Sequence, residues 1–104
     1  MVGIPLSEET QRRVELLFDG EDAALAAEIL VLECGSNLPF CAKKGPVELE
    51  RFRFAALKMS GGDLDRLLQA VEVAKQDWRD LLVAAGFAND PQAHQAWLPQ
   101  RAST

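Results

Sequence analysis

The chain has 104 residues, 48% of them hydrophobic, enough for one packed core and too short for two ordinary domains. Sixteen acidic against eleven basic residues give a net charge of −5, which repels a phosphate backbone unless the basic residues gather on one face, so nucleic acid is disfavoured as a partner. The opening MVGIPLSEET has no basic start and no apolar run of signal length, and no later segment approaches the roughly 20 apolar residues that span a bilayer, so no membrane contact and a cytoplasmic location are expected.

Ser7 reads as the N-cap of a first helix, with Glu8 and Glu9 in its first turn, Asp19-Gly20 as its stop and Val14, Leu17 and Phe18 as its apolar side. A second helix is expected from about Asp22 to Cys34. Its segment AALAAEILVLE is apolar on nearly every side, the pattern of a helix enclosed all round, or of one with part of its surface against another subunit. The turn-rich GSNLPFCAKKG follows. Pro46 then suits the first position of a third helix, where its missing N–H costs nothing. There Leu49, Phe52, Ala56 and Met59 share one helical face, with Glu48–Arg51 and Glu50–Arg53 as ion pairs one turn apart.

From Gly61 to Phe87 the spacing of Leu64, Leu67, Val71, Ala74, Trp78, Leu81 and Ala85 predicts one long helix, capped by Asp63 and ended by Gly86. Asp77 offers a competing reading, because Asp-Trp-Arg-Asp is also a cap followed by a first turn, which would break the helix near Gln76. Val73 and Val83 interrupt the polar outer face of this helix. Asn89-Asp90-Pro91 resets the chain for a short last helix, QAHQAWL, whose Trp97 is the nearest cover in sequence for Val83; failing that, another subunit would cover it. Pro99 to Thr104 read as a flexible tail behind a single domain of residues 1–98.

Few residues carry chemistry. Cys34 and Cys41 flank the loop CGSNLPFC; they read first as two reduced, small apolar side chains, and otherwise as a disulfide or redox pair. Their spacing is not a usual zinc pair and no second pair exists. His94, the only histidine, is expected to face solvent or cap a helix. Glu72, Asp77 and Asp80 are interleaved with Lys75 and Arg79, as on a solvated, salt-bridged face rather than in a buried acid–base pair. Lys43, Lys44, Arg51, Arg53 and Lys58 make the middle of the chain basic, but Glu48 and Glu50 interrupt the run. Gly61-Gly62 precedes a helix without the lysine and Ser/Thr that a phosphate loop needs.

These patterns define an all-α, single-domain bundle with mixed or orthogonal packing angles, of five helices, or six if the long one breaks. No metal or other cofactor and no catalytic residue are expected. The expected role is non-enzymatic, through a protein partner or self-association, with Leu82, Val83 and Trp97 as the surface; the alternative is a small-ligand or redox-responsive module at the Cys34–Cys41 loop.

Overall fold

Ser7 opens the first helix as its position before two glutamates requires: its Oγ accepts from the backbone N–H of Thr10 at 3.1 Å. The computed structural model describes residues 6–34, 46–87 and 93–99, and every regular element among them is helical. The order is α1 (Glu8–Leu17), α2 (Gly20–Glu33), α3 (Pro46–Ser60), α4 (Leu64–Gln76) and α5 (Trp78–Ala85), followed by a single 3-10 turn, Ala93–Ala96. That turn stands where a short last α-helix is expected. No helix among the described residues is long and apolar enough to cross a membrane.

The predicted long helix is two helices. Asp77 adopts an extended backbone, ends α4 by donating its N–H to Val73 O at 2.8 Å, and starts α5 by accepting from the N–H of Arg79 at 3.0 Å. One residue is thus the C-cap of one helix and the N-cap of the next, and its capping chemistry outweighs the unbroken apolar repeat. The repeat misleads because both segments bury that same stripe: Leu67, Val71 and Ala74 from α4, and Leu81 and Ala85 from α5, all face the core. The predicted outer ends hold. Asp63 caps α4 through the N–H groups of Asp65 and Arg66, and left-handed Gly86 closes α5, with Phe87 N bonded to Leu82 O and Gly86 N to Val83 O.

The centre of the bundle is α3, not α2. Every residue from Arg51 to Leu57 is buried, so this middle stretch of α3 is enclosed on all sides, by α1, α4, α5 and the terminal turn. By contrast α2 buries only Ala26 and Leu30, packs on α1 and α4, and leaves Leu25 47% and Leu32 50% exposed. The difference is aromatic: α3 carries Phe52 and Phe54, whose large surfaces dominate a small core, whereas α2 offers mainly alanine and aliphatic side chains. Met59, expected on the core face of α3, is 39% exposed at its end.

Between α3 and α4 the chain turns against the end of α1. Gly62 has φ +90°, and a Cβ there would lie 2.9 Å from Leu17 O, whereas one on Gly61, at φ +58°, would meet nothing within 4 Å. Gly62→Ala is therefore expected to lower stability by about 1–3 kcal/mol in urea unfolding, and by more than Gly61→Ala, since it adds a backbone collision to the same left-handed strain. Equal costs would mean that α1 does not abut this turn.

The break at Asp77 has a pH signature. The Arg79 backbone N–H donating to its carboxylate, with the Arg79 side chain second, holds the Asp77 pKa below its ordinary value. A lowered carboxylate pKa contributes stability that is complete above the unfolded value and lost as pH falls through the folded one. Asp77→Asn keeps an acceptor but removes the charge. Its melting temperature should fall less steeply than that of the wild type between about pH 5 and pH 2; parallel slopes would show that the cap does not depend on ionisation.

Candidate functional site

Among the described basic residues of the middle segment, Arg51 and Arg53 are buried, and Lys58, exposed along its side chain, bonds back to the fold. Arg51, 8% exposed, donates to Phe87 O beyond the end of α5, and Lys58 Nζ donates to Ala85 O at 2.8 Å while lying 5.0 Å over the Phe87 ring. Arg53, 2% exposed, donates from Nε to Cys34 O at 3.0 Å, at the end of α2. From α1, the buried Arg13 reaches Trp97 O at 2.9 Å and Gln95 O at 3.4 Å, pairs with Glu9 and stacks 4.2 Å over Phe54. Cations thus meet carbonyls left over at helix ends, where the dipole is negative. Arg51 and Arg53, expected in ion pairs one turn apart, are thus buried and bonded to backbone carbonyls of other elements, so neither guanidinium is available to a phosphate backbone; the Glu48 side chain lies outside the described residues. Lys43 and Lys44 lie outside the described residues.

Arg13 and an aromatic cluster together hold the terminal turn. His94, expected at the surface, is fully buried: its ring meets Phe54 edge-on at 5.2 Å, Phe87 at 6.3 Å, and its Nε2 is 3.5 Å from Glu50 Oε1. Glu50 also accepts from Ser7 Oγ at 2.9 Å. The only imidazole is therefore part of the packing between α3 and the chain end. Trp97 packs beside Phe54 and Phe87, at 6.2 and 6.3 Å, and does not cover Val83, which is 66% exposed. Leu82 is buried. Pro99, read as the start of the tail, is buried as well.

Of the expected interaction residues only Val83 is therefore an exposed apolar side chain, and Leu82 and Trp97 belong to the packing of the fold. Cys34 is buried at the end of α2 and Cys41 lies outside the described residues. The expected carboxylate cluster is dispersed among its cations, as its interleaving suggests. Glu72 pairs with Lys75 at 3.5 Å and Asp77 with Arg79 at 3.3 Å. Lys75 also binds Glu33 across to α2, a hydrogen bond that raises the Lys75 pKa. Among the described residues no three His, Cys, Asp or Glu side chains converge as a metal site would require.

An open groove of about 800 Å³ lies between α1 and α2. Leu6, Ala27, Val31 and Leu32 supply its apolar surface, and Glu8, Arg12, Glu15 and Glu28 its charges. A smaller hollow of about 340 Å³ lies between Met59, Val73 and Ala84 on the α4–α5 side. The groove does not coincide with Leu82, Val83 and Trp97. Its signal in the sequence is the near-uniform apolarity of α2, which has more hydrophobic faces than one packing partner can cover.

Comparison of the chain with protein-family models, with curated proteins and with solved structures gives no match.

The internal cations are open to test. Arg53→Met removes the donor to Cys34 O while keeping the aliphatic bulk, and is expected to cost about 1–3 kcal/mol in denaturant unfolding because a buried carbonyl loses its partner. Arg53→Lys should recover little, since its ammonium cannot reproduce the Nε geometry. An unperturbed stability in Arg53→Met would show that the carbonyl finds water instead.

Proposed function

We propose that this protein is a non-enzymatic interaction module that holds another protein chain against its α1–α2 face. One observation carries the reading: α2 keeps two leucines half exposed beside an open groove, while the same chain fully buries Leu30, Leu57 and Leu67. A single exposed leucine is ordinary on a protein surface. Here Leu32 lines a concavity with Leu6 and Val31, and Leu25 stands two turns earlier on the same helix, so a second chain laid along α2 can cover both. Covering the exposed halves of Leu25 and Leu32 contributes on the order of 1 kcal/mol each, which suits a modest, reversible contact. The interior supports binding over catalysis, since the His94 imidazole is sealed behind Phe54 and Phe87.

Leu25→Glu with Leu32→Glu tests the reading. Neither side chain belongs to the core, so the double variant should melt within a few degrees of the wild type. In size-exclusion chromatography of a native extract, the wild type should elute in a complex larger than its own 11.4 kDa and the variant as a single chain. Elution of the wild type at 11.4 kDa, or of both proteins in the same complex, would overturn the reading.

A further inference from the structure

The chain's charge is segregated onto the layer that carries the groove. Between Ser7 and Glu33 eight acidic residues stand against two basic ones, a net −6, whereas the whole chain carries −5. The rest of the chain is therefore close to neutral, at +1. Seven of the eight carboxylates are exposed, Glu33 being the half-buried one, and Arg13, one of the two cations, is buried. At the groove itself three carboxylates, Glu8, Glu15 and Glu28, face one guanidinium, Arg12.

Resting on the proposed interaction role, we infer that the groove takes a cationic amphipathic α-helix from a protein partner. The shape argues for a helix. The wall is formed by α1 and α2, of 10 and 14 residues, or about 15 and 21 Å of axis, and a third helix of about three turns laid between them completes a three-helix layer. Leucines at i, i+3, i+4 and i+7 of such a helix would enter between Leu6, Ala27, Val31 and Leu32, and its flanking lysines or arginines would meet Glu8, Glu15 and Glu28. Charge argues against a second copy in this place, because an isologous contact sets each acidic layer against itself. It argues equally against an acidic partner, which would add negative charge to a layer already at −6. The segregated field also speeds encounter with a cationic segment and makes it sensitive to salt.

The probe is a synthetic peptide of about 12 residues with four leucines on one helical face and lysines beside them, compared with the same peptide carrying glutamates instead of lysines and with a version interrupted by a central proline. Binding to the full chain is read by fluorescence anisotropy at about 0.05 M and about 0.5 M salt. The lysine peptide should bind at least about tenfold more tightly than the glutamate peptide at low salt, with the ratio collapsing toward unity at high salt. The proline version should lose binding. Joint substitution Glu8→Lys, Glu15→Lys and Glu28→Lys, with folding checked by circular dichroism, should reverse the preference, and Leu32→Glu should weaken both helical peptides. Equal affinity for the lysine and glutamate peptides, an unchanged ratio in the triple variant, or undiminished binding of the proline version would overturn the inference. So would the absence of binding by any peptide. In all of these cases the interaction role itself would still be decided by the complex in native extract and its loss in the leucine variants.

Discussion

The bundle depends on cations that enter its interior and end on helix C-terminal carbonyls. A stretch of helix enclosed on every side has no solvent face on which to place charge, yet α3 carries Arg51 and Arg53 within its buried run. Burying a guanidinium costs several kcal/mol unless it is hydrogen-bonded. The cost is met at helix ends, the one place in a helical fold where backbone carbonyls lack internal partners. Arg51 and Lys58 close the end of α5 and Arg53 the end of α2, so the central helix fastens two neighbours at the points where they would otherwise fray. Arg13 performs the same service from α1 for the terminal turn.

This arrangement has an electrostatic by-product. Basic residues that fasten the interior no longer offset acidic residues outside, so the surface is more acidic than the composition implies, and most so on α1 and α2. The groove's apolar wall and its carboxylates thus have one origin. With the aromatic α3 taking the centre, α2 is left as an outer layer, partly uncovered and carrying acidic residues but no basic ones. Lys75, reaching from α4 to Glu33, adds a partly exposed ion pair to the Arg53 bond at the end of α2.

Much of this architecture was legible in the sequence, because local signals are strong where one residue acts through its own backbone neighbourhood. Ser7, Asp63 and Gly86 mark helix ends by chemistry that needs no tertiary partner, and the structure follows each. Asp77 belongs to the same class; it was obscured by an apolar repeat that two helices packed on one core also satisfy. The order of burial could not be read in this way. Hydrophobicity alone favours α2 as the enclosed helix; the aromatic α3 takes that place together with long-range bonds, such as Arg53 with Cys34 and Arg51 with Phe87, that no local window contains. The same limit applies to His94 and Trp97, which pack on Phe54 and Phe87 in a segment bonded to Arg13 more than 80 positions earlier. Leu82, Val83 and Trp97 are the surface the sequence points to, and of these only Val83 is exposed; the surplus apolarity of α2 is also legible, but not which of its sides the packing leaves uncovered beside the groove.

The bond from Arg13 to Trp97 also bears on how the chain assembles. It joins segments 84 residues apart in sequence, so its loop-closure cost is recovered only after α1 and α3 have come together to present Phe54 and the guanidinium side by side. Trp78, by contrast, rests 5.3 Å from Phe52 within a unit of neighbouring helices, α3 to α5. The two indoles therefore differ in the loop that their contacts close: one joins helices 26 positions apart in sequence, Phe52 to Trp78, and the other ties the first helix to the last described segment.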